Sequence, residues 1–374
     1  MKITRYLTKL VYRFIAKHLL FMSAPDDTHN HLLKLGSYVQ KNKLLLGLIR
    51  WAWSYDNPDV LEQNLHGVKF INPIGLAAGF DKNIQLPPLM KAVGFGFMTG
   101  GSITAGKTKG NPRPWFRRLP KLKSLAVNAG LPNDGSLTII RRIKTYADET
   151  FDNFPLMISV ALTNNKTVAS HKQAIDDYIK SLKRVNGLSQ MIEINISCPN
   201  ARFGQLFTDP GALEELLTNV DSLNLQKPIF IKMPGTISNE IFLELLKTIS
   251  EHKIVGVTVC NLNKDYSGFK VPENTRGGLS GKPAYERSNE LIKLTYERYG
   301  DRLTIIGVGG VFSPEDAYMK LRLGASFVGL ITGIIYQGPQ LVGDICQGLV
   351  ALLEKDGFTH ISQIIGVDTN RGNL

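Results

Sequence analysis

Eight short apolar runs, recurring from residue 73 onward, leave this chain few ways to fold. They fall at 73–78, 96–102, 156–161, 191–197, 228–233, 256–261, 304–310 and 327–332, and none exceeds seven residues. Helical patterns separate most of them, at 170–185, 211–224, 238–252, 284–299 and 314–323. Continuous apolar strands alternating with helices imply parallel β-structure buried on both faces. Eight such units in about 270 residues predict a (β/α)8 barrel, the TIM-barrel class of α/β fold. A doubly wound open sheet is the rival, but no G-x-G-x-x-G opens a helix after the first strand. With 374 residues, the chain has room for one large barrel and a small appendage.

The appendage is set apart by its charge. Residues 1–55 carry nine of the basic side chains and only Asp26 and Asp27 as acids, so +7 of the net +12 lies there. Residues 3–22 have helical periodicity: Ile3, Leu7, Leu10, Val11, Phe14, Ile15 and Met22 share one face, and Arg5, Lys9, Arg13 and Lys17 run down the other. Residues 23–30 predict a turn, and a second apolar helix is expected over 32–53. Two readings compete, packing on the barrel and lying in a bilayer interface. Excess apolar bulk beside exposed basic residues favours the second. The stretch 10–22 is too short and too charged to span a membrane, and it lacks the small-residue cleavage site of a secretory signal. The expected division is a helical segment at 1–57 and a barrel domain at 58–374. Cys198, Cys260 and Cys346 form no C-x-x-C pair, which argues against a disulfide scaffold or structural zinc and for a reducing compartment.

In such a barrel the chemistry sits at the C-terminal ends of the strands. Those ends supply Ala77, Ala78, Gly79, Asp81, Lys82, Ser102, Asn195, Ser197, Cys198, Pro199, Asn200, Lys232, Asn261 and Thr332, with glycines at 307, 309 and 310. Amides, small residues, two lysines and one thiol suit hydrogen bonding to a flat heterocycle. There are no paired carboxylates for hydrolysis and no His/Asp/Glu cluster, so no metal is expected. The glycines at 307–310 and 277–281 lie where barrels bind phosphate through backbone N–H groups, although tight turns alone explain some such glycines. Without a Walker sequence, a flavin mononucleotide phosphate is a better candidate than a nucleoside triphosphate. Cys198 is either a small buried hydrophobe or, with its pKa lowered by Lys82 or Lys232, a base. Cys260 and Cys346 fit the first description.

GLAAGFDK (75–82), GNPRP (110–114), NISCPN (195–200), GGLSGKP (277–283) and IIGVGGV (305–311) together resemble the dihydroorotate dehydrogenases, flavin enzymes of pyrimidine synthesis. The resemblance covers about residues 25–360. The N-terminal helices resemble the entrance of the membrane-associated, quinone-using class. It implies that FMN is held by Ala78, Gly79, Ser102, Asn195, Lys232, Gly281, Gly309, Gly310 and Thr332, with Cys260 and Ile331 also in contact. It implies that Lys82, Asn128, Asn195, Asn200 and Asn261 bind dihydroorotate and orotate. Cys198 becomes the base at C5, and His29 and Arg118 line the quinone path. A peripheral position follows, on the cytoplasmic face of a bacterial inner membrane or on the mitochondrial inner membrane of a eukaryote.

Several residues depart from the quinone class. Cys198 stands where serine is usual, and the loop Gly130-Leu131-Pro132-Asn133 resembles the soluble class. Val127 and Ala161 replace asparagines, Thr99 an acid, Leu262 a threonine and Ile331 a tyrosine. Two alternatives follow: a related flavin enzyme acting on another cyclic amide, and a membrane-associated flavin binder with little turnover. A nucleic-acid binder is disfavoured, because no base-stacking aromatics interleave with the N-terminal lysines.

Overall fold

The computed structural model describes residues 3–165, 168–198 and 205–369. Its centre is a closed barrel of eight parallel strands: β1 Ile74–Leu76, β2 Phe97–Ile103, β3 Leu156–Ala161, β4 Met191–Asn195, β5 Ile229–Lys232, β6 Gly256–Val259, β7 Thr304–Val308 and β8 Phe327–Leu330. Each pairs with its sequence neighbour, and β8 closes on β1 with Val328 opposite Ile74. All eight coincide with the apolar runs of the sequence. Period-two alternation fills the interior. Phe97, Met157, Met191, Phe230, Ile306 and Phe327 point inward at the N-terminal end of the barrel. Phe70, from the hairpin Gln63–Leu65 and Val68–Phe70, plugs them from below, its ring 4.2 Å from that of Phe327.

The surrounding helices start where capping residues stand. Ser170, Asp209, Ser238 and Ser313 each accept a hydrogen bond from a backbone N–H of the first turn. The open C-terminal end carries an antiparallel three-stranded sheet of Phe116–Leu119, Ser124–Val127 and Gly278–Leu279. The second glycine cluster of the sequence thus supplies a strand as well as a cavity wall.

The N-terminal segment corrects three expectations. Helical geometry runs from α1 (Ile3–Val11) through a π-turn (Tyr12–Ala16) into α2 (Lys17–Met22), but the next helix, α3 (Pro25–Val39), starts inside the expected turn. Proline at its first position has no N–H to leave unsatisfied, so the helix begins there. The expected helix over 32–53 is divided, because Asn42 caps a separate α4 (Lys43–Trp53) by accepting from the N–H groups of Leu44 and Leu45.

The third correction concerns Arg5, which does not share a solvated face with Lys9 and Arg13. It is fully buried, with Nε 3.1 Å from Asp344 and Nη1 donating to the Ser54 carbonyl at 2.9 Å, and it also donates to Gln347. Thr4 donates to the Ala52 carbonyl, Trp53 to Thr8, and Tyr12 to the Ile335 carbonyl at 2.7 Å. The segment is therefore fastened through polar groups, and its apolar stripe faces outward: Ile3, Leu7, Phe14, Leu19 and Met22 are exposed. Leu10 alone of the expected stripe is half-buried among the residues shown there. On α4, Leu44 and Trp51 are 80% and 62% exposed. No described helix is long and apolar enough to cross a membrane.

Candidate active site

A cavity of about 250 Å³ occupies the C-terminal end of the barrel and extends beneath α3. Of the residues singled out from sequence, it is lined by Ala78, Gly79, Lys82, Ser102, Asn195, Cys198, Lys232, Cys260, Asn261, Gly281, Gly309, Gly310, Ile331 and Thr332, together with His29 and Arg118. Asn128 is not among them. Its amide and carbonyl accept from Asn111, its N–H donates to the Trp115 carbonyl, and its neighbour Val127 faces the cavity instead. Alternation along and just past the strand Ser124–Val127 makes that exchange: Leu125, Val127 and Ala129 line the cavity and Asn128 does not. Asn200 lies outside the described residues.

The floor is a chain of neutral polar groups. Ser159 and Ser102 share a hydrogen bond of 2.8 Å, and Asn195 Nδ2 donates to Ser102 at 2.8 Å. Asn195 Oδ1 accepts from both the N–H and the hydroxyl of Ser197, and Asn261 donates to the Ser197 carbonyl at 2.7 Å. This chain fixes the backbone on either side of the bend where β4 ends, and Cys198 follows it, buried at the cavity wall. Tyr178 secures the bend from behind by donating to the Asn195 carbonyl at 2.7 Å. Ser159 and Tyr178 were not evident from sequence, because a strand serine and a helix tyrosine look like ordinary core residues.

Lys82 lies over the Phe116 ring at 5.0 Å. Burial pushes its ammonium down to about 8, against the opposing pull of Asp81 and Asp26. Asp81 is itself spent on local structure, accepting from the N–H groups of Gln85 and Leu86. Among the described residues Lys82 has no carboxylate within salt-bridge distance, and a lysine lining the same cavity as a thiol and two amides suits a small planar anion.

The opposite end suits a phosphate. Gly309 and Gly310 have φ of +124° and +76°, and a Cβ on Gly310 would sit 2.4 Å from that of Tyr285. Among the described residues, no protein acceptor takes the N–H of either glycine. Two successive backbone N–H groups without a protein acceptor can serve as an anion-binding nest. Gly281 (φ +71°) closes the wall where a Cβ would meet the Lys123 carbonyl at 2.3 Å.

Under α3 the lining turns apolar and aromatic, with Leu32, Phe80, Phe116, Leu125 and Ile335. His29 stands edge-on to Phe80 and Phe116, at 5.4 and 5.7 Å. Burial, reinforced by Lys82, lowers its pKa to about 3, so it is neutral near pH 7. Arg118 spends its guanidinium on the carbonyls of Leu20, Phe21 and Ser23 and on Thr28, and stacks on Phe21 at 4.5 Å. It lines the passage and pins the α2–α3 junction at once. Asp26 completes the pinning by accepting from the N–H groups of Trp115 and Phe116. Among the described residues no group of three or more potential metal ligands is gathered.

Comparison with known proteins gives a consistent answer. The family model described as dihydroorotate dehydrogenase matches residues 60–353. Relatives named dihydroorotate dehydrogenase (quinone) include one from Synechocystis, 32% identical over 93% of this chain and 94% of its own. Another, from Gloeobacter violaceus, is 34% identical over 95% of this chain and 98% of its own. The ligand-free crystal structure of the Eimeria tenella dihydroorotate dehydrogenase superposes with a TM-score of 0.77 at 26% identity, covering 87% of this chain and 99% of that one. Fold, cavity and sequence agree that this chain belongs to the dihydroorotate dehydrogenase family.

Proposed function

We propose that the chain oxidises dihydroorotate to orotate and passes the electrons to a quinone, as the names of its relatives indicate. The observation that carries this reading is one continuous cavity. It joins a polar floor with a thiol and lysines to an aromatic passage beneath α3, in the helical segment whose α1 and α4 carry exposed apolar residues. The family is flavin-dependent, and the proposed flavin is FMN: the glycine nest fits a phosphate, and Ala78, Gly79, Ser102, Asn195, Lys232, Cys260, Gly281, Ile331 and Thr332 would surround the rest. When bound, the flavin accepts the hydride from C6 of the substrate and returns two electrons to the quinone.

The protein supplies position and proton transfer. Lys82 and Asn261, with Asn200, would hold the carboxylate and ring amides. Cys198, as thiolate, would take the C5 proton, a general-base role worth about 10²–10⁴-fold in rate. Neutral His29 would offer a hydrogen bond to a quinone without holding a charge in an apolar passage. The exposed apolar stripe and the basic excess of the first 55 residues support peripheral binding to an anionic membrane, the cytoplasmic face being the proposed side. Anaerobic addition of dihydroorotate to the purified protein should bleach the flavin, and a short-chain quinone should restore its colour. A flavin that dihydroorotate leaves oxidised would end this reading.

A further inference from the structure

The phosphate end of the cavity is walled by Gly281, Ala284, Gly309, Gly310, Thr332 and Gly333, none of them charged. A cation lies one layer behind it. Lys320, on the helix Pro314–Arg322, is fully buried, and its ammonium reaches only neutral acceptors, Ser288 Oγ and Asn289 Oδ1, both at 2.8 Å. Among the described residues no carboxylate comes within 4 Å of it. The adjacent Asp316 is occupied by Lys282, at 2.8 and 2.9 Å, and by the N–H of Phe312.

Lys320 is also tied to the nest itself. Ser288 donates to the Val308 carbonyl at 2.8 Å, directly before Gly309, and its Cβ would be 3.3 Å from a Cβ on Gly309. The Tyr285 ring that Lys320 faces at 5.3 Å is the side chain packed under Gly310. An unpaired charge in the interior is costly, and a dianion brought to the nest would offset that cost across a low-dielectric layer.

We propose that Lys320 is the buried counter-charge for the phosphate of bound FMN, acting through the Gly309-Gly310 backbone. The inference rests on the FMN reading above. Burial pushes the ammonium down to about 7, so the charge is only partly present before the phosphate arrives. The charged or titratable groups facing it are Cys260 just past β6, Asp316 on its own helix, Tyr285 and Glu286 on the helix Tyr285–Tyr299, and Lys282 in the turn that leads into that helix.

Riboflavin, which lacks the phosphate, provides the control. FMN and riboflavin would be titrated into the full-length protein freed of flavin, as wild type and as Lys320→Met. The expected result is FMN binding weakened by about 10- to 100-fold, the usual size of coupling between two sites, with riboflavin binding little changed. An equal loss for both flavins would make Lys320 simple packing between helices, and no loss would remove it altogether. If the variant does not fold, the wild type decides. From pH 7 to 9 the phosphate stays dianionic while Lys320 discharges, so FMN should weaken by up to about tenfold per unit and riboflavin should not. Parallel pH curves for the two flavins would overturn the proposal. A wild type that binds neither flavin would instead overturn the FMN reading itself.

Discussion

Cys198 and Lys82 line one cavity but make opposite demands on pH. The proposed base would work as a thiolate, so flavin reduction should rise with pH through the ionisation of a thiol. Cys198→Ala should slow it by about 10²–10⁴-fold in stopped-flow measurements while leaving the flavin bound, and Cys198→Ser should keep part of the rate with its optimum moved upward. Lys82 sets the other limb. Burial pushes its ammonium down to about 8, and an anionic substrate would hold it charged. Binding is therefore at full strength below pH 8 and should weaken above it by up to about tenfold per unit, read as a rising KM for dihydroorotate. A KM that stays flat to pH 10 would remove Lys82 from substrate binding. Most of this site could be read from sequence, because strand ends announce themselves by the loss of apolar residues. Asn128 could not be placed that way, since a one-residue alternation decides whether it or Val127 enters the cavity.

At the scale of elements, the eight strands are legible because a parallel strand buried on both faces leaves an uninterrupted apolar run. The hairpin Gln63–Phe70 leaves no such trace, since its strands are three residues long and half-exposed. The amphipathic pattern of α1 shows that two faces exist without saying which one docks. The buried end of Arg5 settles that. Removing one partner of a buried ion pair costs about 3–5 kcal/mol, and Arg5 also holds Ser54 and Gln347. Arg5→Ala should therefore release α1 and α2 from the barrel. Limited proteolysis should then cut within the first 25 residues much faster than in wild type, while the barrel itself stays resistant. Equal cutting rates would show that the apolar contacts suffice.

For the molecule as a whole, the outward apolar faces of α1 and α4 and the local excess of positive charge form a surface suited to anionic lipid. Double replacement of Leu44 and Trp51 by serine should weaken sedimentation with phosphatidylglycerol vesicles without lowering the melting temperature, because neither side chain packs inside. Raising salt should weaken the wild type as well, at about 1 kcal/mol per basic residue near the surface. Vesicle binding insensitive to both changes would assign those faces to another contact.

The fastening of the helical segment carries one more consequence. Arg5, Thr4, Thr8, Tyr12, Asp26 and Arg118 attach it through charge and hydrogen bonds. Detergent competes for greasy surface and has little hold on such contacts. Extraction from a lipid surface into micelles should therefore leave the entrance assembled, and electron delivery to a water-soluble quinone should survive it.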